Sequence, residues 1–114
     1  KRHAIVGASV YTVKPTLHTL DMPFTVFRPP HRRAEQLPTV VSGYTCMEID
    51  VLSRANLERL DIGDWLLFDN CGAYTFVLNP RFIRGTPAIL AADESGWPAV
   101  RERDSYESWL TSFG

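Results

Sequence analysis

Apolar and β-branched residues along this chain gather in short runs, each closed by proline, glycine, asparagine or aspartate, and no long helical periodicity takes over. Residues 3–13 (His-Ala-Ile-Val-Gly-Ala-Ser-Val-Tyr-Thr-Val) read as a first strand with a bulge at Gly7, ended or placed at an edge by Pro15. Phe24-Thr-Val-Phe27 alternates and predicts a second strand running into a turn at Arg28-Pro29-Pro30. Residues 37–44 predict a third strand leading towards Cys46. Residues 49–52 continue extended or turn, and residues 53–60 predict a helical turn. Asp61-Ile-Gly-Asp64 is turn chemistry. Beyond it, residues 65–68 predict a buried strand and residues 74–78 another. Residues 87–91 and 99–101 predict two late strands around a hairpin turn at Asp93-Glu-Ser-Gly96, and Asp104-Ser-Tyr-Glu107 has the capping pattern of a short C-terminal helix starting near Ser105. There is no internal repeat. The fold class expected is mainly β, an antiparallel β-barrel or sandwich-like sheet domain with a short C-terminal helix.

A length of 114 residues with 45% hydrophobic content bounds this to one domain, residues 1–114, with a modest core. Twelve basic residues nearly cancel thirteen acidic ones, so no whole-molecule field points to nucleic acid or an anionic membrane. The one basic cluster, Arg28 with Pro29-Pro30-His31-Arg32-Arg33, is short, broken by proline and read as a solvated loop. No signal-peptide layout and no apolar run near the ~20 residues of a membrane span occur, which gives the expectation of a soluble, cytoplasmic chain. Two cysteines, Cys46 and Cys71, are too few for a disulfide framework, although one bridge between them stays open. The three histidines lack metal-ligand spacing to them, so no metal site is expected.

Candidate chemistry concentrates in residues 42–74. Cys46 sits among Thr45, Glu48 and Asp50, which would tune or orient a thiol acting as nucleophile or acid; the competing reading is a small buried hydrophobe. Cys71 reads as incidental. Tyr74, preceded by Gly72 and Ala73, would offer its hydroxyl to a phosphate, against the alternative of a half-buried strand tyrosine. Lys14 and His18 would meet a carboxylate or phosphate, or be ordinary surface residues. Asp64 reads as a turn former and Trp65, Trp97 and Trp109 as packing residues. These residues define a β-rich domain with one candidate thiol and no assigned reaction.

In order and spacing, Gly43-Tyr-Thr-Cys46 followed by Asp50, Gly63-Asp64-Trp65 with Phe68, and Gly72-Ala73-Tyr74 resemble the C-terminal sheet domain of the pyridoxal-phosphate-dependent ornithine, diaminopimelate and arginine decarboxylases, whose barrel is alanine-racemase-like. Residues 13–18, Pro87 and the ending from Arg101 to Leu110 add support, so the resemblance extends over nearly the whole chain. It implies a partner (β/α)8 barrel domain, N-terminal and absent from this chain, whose lysine holds pyridoxal 5'-phosphate. It also implies a homodimer whose partner subunit shares the site, a small-molecule amino-acid substrate, and an isolated chain that is catalytically silent. Carried over, Cys46 is the acid that protonates the carbon left when carbon dioxide departs, and Tyr74 contacts the cofactor. Two positions depart from the pattern. Met47 stands where the diamino-acid decarboxylases carry Asp or Glu for the substrate's distal ammonium, and a thioether cannot pair with that cation. Lys14 and His18 stand where the diaminopimelate enzymes place arginine and tyrosine on the distal carboxylate. Substrate-binding residues are thus Met47, Lys14 and His18, for a substrate that is not a simple diamino acid and whose distal end is neutral, apolar or anionic. The alternatives are a stand-alone, non-catalytic β-rich interaction module and a domain of a racemase-like enzyme with the same cofactor.

Overall fold

Strands dominate the computed structural model, which describes residues 1–17, 19–29 and 35–114. His18 and residues 30–34, with most of the basic cluster, lie outside the described residues. The elements run β1 (Arg2–Ile5), α1 (Val10–Val13), β2 (Phe24–Phe27), β3 (Leu37–Ser42), β4 (Val51–Leu57), β5 (Trp65–Phe68), β6 (Ile89–Leu90), β7 (Ala99–Arg101) and α2 (Tyr106–Thr111). Two compact units result, Lys1–Asn79 and Pro80–Gly114.

In the first unit one sheet has the order β1-β3-β4 and a second pairs β2 with β5. Its buried centre is Val10, Val13, Val41 and Leu52, with Phe24, Leu57, Leu66 and Phe68 packed against it. Both sheets and α1 therefore feed one core, which makes the arrangement sandwich-like. The sheets stay separate, so the closed-barrel form of the expectation is not the one taken. Nor is every pairing antiparallel: β1 runs parallel to β3, from Arg2 opposite Thr39 to Ile5 opposite Ser42. A parallel pair needs a crossover, and α1 with β2 lies on it. The β3–β4 ladder slips by one residue between Val41 and Ser42, so that Ser42 faces Val51 and Leu52 is left over, fully buried.

Four local expectations change. Residues 10–13 are one helical turn, not the end of a strand: Ser9, in extended conformation, caps it, its N–H donating to the Thr12 hydroxyl at 2.9 Å, while a carboxylate distant in sequence takes the Val10 N–H. This outside acceptor overrides the strand preference of Val-Tyr-Thr-Val. Residues 51–57, of which 53–57 had been expected in a helical turn, form β4, because Ser53, Ala55 and Leu57 turn inward while Arg54 and Asn56 face solvent. Residues 74–78 form a turn, the Leu78 N–H donating to the Tyr74 carbonyl at 2.8 Å. β5 is a strand as expected but not buried on both faces: Leu66 and Phe68 pack inward, and Trp65 and Leu67 are exposed.

In the second unit β6 and β7 form the expected hairpin, closed by the bridge of Asp93 with Gly96. Asp104 gathers the unit: it takes two hydrogen bonds from Arg81, at 2.9 and 3.0 Å, and others from the Thr86 N–H and hydroxyl. The Thr86 N–H, with these partners, holds its carboxyl below the usual value despite some desolvation. Ser105 caps α2, accepting from the Ser108 N–H at 3.1 Å. Trp109 packs edge-on against Phe113, whereas Trp97, like Trp65, is exposed and not a packing residue.

Candidate functional site

Residues 43–50 leave β3 and return as β4, and every end of this loop is tied. The Gly43 N–H donates to the Asp50 carbonyl at 2.9 Å, and the Asp50 N–H donates to the Met47 carbonyl at 3.0 Å. The Tyr44 N–H donates to the Ala8 carbonyl at 3.1 Å. Asp50 is 2% exposed, and its carboxylate accepts the Val10 N–H at 2.8 Å, the Thr45 N–H at 2.9 Å and the Thr45 hydroxyl. Such donors offset the cost of burying a carboxylate. Cys46, next along the chain, is exposed and its thiol is free. The buried-hydrophobe reading of Cys46 therefore does not hold. Met47 is half-buried, and the Tyr11 hydroxyl lies 3.6 Å from its sulfur.

Cys71 is free as well, so no disulfide joins the two thiols. Burial, then the charge of Asp69, raises the Cys71 thiol above its usual value, and its sulfur donates to the Asp69 carbonyl at 3.3 Å. Tyr74 is 60% exposed and holds a left-handed backbone, φ +64°. For a tyrosine that conformation costs about 1–3 kcal/mol and marks a position worth functional attention. Tyr74 thus stands on a turn and not on a strand end.

Lys14 is 8% exposed and pairs with Asp21 at 2.7 Å. Asp21 also accepts the Arg54 N–H at 3.1 Å. Burial pushes the Asp21 carboxyl up, but the hydrogen bonds from Lys14 and Arg54 and the Lys14 charge outweigh it and hold it below the usual value. Asp64 forms the turn anticipated, its carboxylate accepting the Asp61 N–H at 2.9 Å beside Gly63 at φ +98°. Arg28 is bound to Glu58 at 2.8 Å. A groove of about 730 Å³ runs between residues 3–8 on one side and residues 60–66 with Phe68 on the other. Among the described residues no cluster of metal-ligating side chains occurs, and no helix is long and apolar enough to cross a membrane. Reasoning from the sequence missed Tyr11 and the Asp50–Val10 bond; the distance along the chain, 40 residues for the latter, left no local signal.

Residues 1–72 match the family described as pyridoxal-dependent decarboxylase, C-terminal sheet domain. Antizyme inhibitor 2 of Xenopus laevis is 39% identical over 62 residues, covering 52% of this chain and 14% of that protein. Ornithine decarboxylase of Cricetulus griseus is 50% identical over 41 residues, 35% of this chain and 9% of the enzyme. Among solved structures, diaminopimelate decarboxylase from Helicobacter pylori complexed with L-lysine superimposes with a TM-score of 0.81 at 24% identity, over 97% of this chain and 28% of that one, a likeness of fold alone. The arginine decarboxylase of Paramecium bursaria Chlorella virus gives a TM-score of 0.60 at 30% identity, over 70% and 23% of the two chains. This chain spans under a third of the length of each of these proteins.

Proposed function

Since this chain belongs to the family of C-terminal sheet domains of pyridoxal-dependent decarboxylases, we propose that it contributes a proton-donating thiol, Cys46, and a cofactor-contacting phenol, Tyr74, to an active site completed by an N-terminal barrel domain and a homodimer partner subunit. The observation that carries this reading is the exposed Cys46 thiol on a loop whose base is pinned to the interior. A thiol held so is available to a reacting group brought by another piece of polypeptide, and the loop's rigidity lowers the cost of aiming it.

Pyridoxal phosphate, when bound, supplies the electron sink that loosens the bond to the departing carboxylate. The residues here suit a group held elsewhere. Of the two lysines, Lys1 and Lys14, the Lys14 ammonium is buried against Asp21, which suits a covalent lysine supplied by the barrel domain. Tyr74, exposed, would orient the cofactor through its hydroxyl, and Cys46 would hold at Sγ the proton that goes to the carbon losing carbon dioxide. Met47 would line the distal pocket and exclude a simple diamino acid. Lys14 would reach a substrate carboxylate only by exchanging it for Asp21.

In the intact enzyme, Cys46→Ala is expected to cut turnover or divert the proton to the wrong carbon while cofactor absorbance persists. An unchanged rate and product profile would remove Cys46 from the chemistry. Met47→Glu is expected to raise activity on lysine-like substrates; no gain counts against the pocket assignment.

A second reading has its own support. One relative is named an inhibitor and not a decarboxylase, and Phe76, Val77 and Leu78 stand exposed in the turn after Tyr74, as an interaction module would require. An intact protein that fails to take up pyridoxal phosphate would favour it.

A further inference from the structure

We propose that Asp50 is the positioning residue for Cys46: a buried carboxylate at the foot of the 43–50 loop that sets where the exposed sulfur stands. The inference rests on the proton-donor reading of Cys46. Its ground is that the carboxylate binds the residue immediately before the thiol twice, through the Thr45 N–H at 2.9 Å and the Thr45 hydroxyl, while its other oxygen holds the Val10 N–H at 2.8 Å. The peptide leading into Cys46 is thereby fixed to α1. Gly43 supplies a second, independent observation. A Cβ there would lie 2.2 and 2.3 Å from the two carboxylate oxygens, so the carboxylate occupies the space a side chain would need. Glycine and aspartate, seven residues apart, are shaped to each other, and Cys46 rides between them.

The groups beside the thiol do not explain its placement as well. Glu48 is exposed, and Met47 is engaged by Tyr11. Asn in place of Asp50 keeps the shape but must turn an NH2 towards one of the N–H donors, setting donor against donor. The loop then loses a tie next to the thiol, and misplacement of a reacting group by about 1 Å can cost on the order of a hundredfold in rate.

The test is a double-mutant cycle in the intact enzyme, joined to a labelling measurement on the folded protein carrying Cys71→Ser. Asp50→Asn is expected to lower kcat about ten- to a hundredfold with KM little changed and cofactor absorbance kept. Combined with Cys46→Ala, it should add nothing. The rate at which iodoacetamide alkylates Cys46 should change several-fold in the same variant, a readout that loss of stability alone would not move in protein that remains folded. A loss that multiplies onto that of Cys46→Ala, or an unchanged alkylation rate, overturns the inference. Should Cys46→Ala cost nothing, the proton-donor reading fails by itself, and the alkylation rate still decides whether Asp50 places the sulfur. If Asp50→Asn does not fold, Thr45→Val removes only the hydroxyl tie and must change labelling and rate in the same direction; no change in either sinks the proposal.

Discussion

A lysine with its ammonium in the interior tolerates few changes around it, and Lys14 is paired with Asp21. Asp21→Asn should destabilise the fold by about 1–2 kcal/mol, less than a fully buried pair because Asp21 is partly open to solvent screening. The pH dependence has a definite sign. The Asp21 carboxyl is depressed below its ordinary value of 3.8, so its contribution is present at neutral pH and lost as pH falls through the folded value. Urea unfolding of the parent and Asp21→Asn proteins should therefore diverge at pH 7 and converge towards pH 3. At Gly43 the cost is steric. Gly43→Ala brings a methyl group against the Asp50 carboxylate and should cost about 1–3 kcal/mol, read as a lower urea midpoint at unchanged slope. Of these residues, Cys46 was legible in the sequence because glycine, threonine and acids crowd around it. Asp50 was legible as one of the residues that would orient it, but its tie to the Val10 N–H was not, since that donor is contributed from another element.

Elements that depend only on neighbours in sequence were legible, and those that depend on remote partners were not. Phe24-Thr-Val-Phe27 alternates and forms β2, and Asp93 to Gly96 closes its hairpin. α1 needed Asp50, and residues 74–78 turn through the left-handed Tyr74, so strand propensity misled in both. β4 carried a period-two signal in Ser53, Ala55 and Leu57 that its polar composition obscured. Between β2 and β5 the rings of Phe24 and Phe68 meet at 5.0 Å. Phe68→Ala should cost about 2–3 kcal/mol, less than a fully buried ring, and circular dichroism on heating would show it. Ser105→Ala should remove the α2 cap for about 1 kcal/mol, visible as faster amide exchange at Ser108.

At the level of the molecule, the first unit leaves much apolar surface in water: Ile5, Ile62, Trp65 and Leu67 are all exposed, and the first three line the groove between residues 3–8 and 60–66. Surface of this kind predicts association of the isolated chain, seen as a sedimentation coefficient that rises with concentration. Trp65→Lys should reduce that rise, and a concentration-independent monomer would contradict it. The slipped pairing between Val41 and Ser42 decides which side chains reach the core, because side chains alternate along a regular strand. Excising the surplus residue would keep Val51 opposite Ser42 and restore a regular ladder, but would remove Leu52, which is fully buried. The slip is thus what lets Leu52 and Ser53, neighbours in sequence, both lie in the interior.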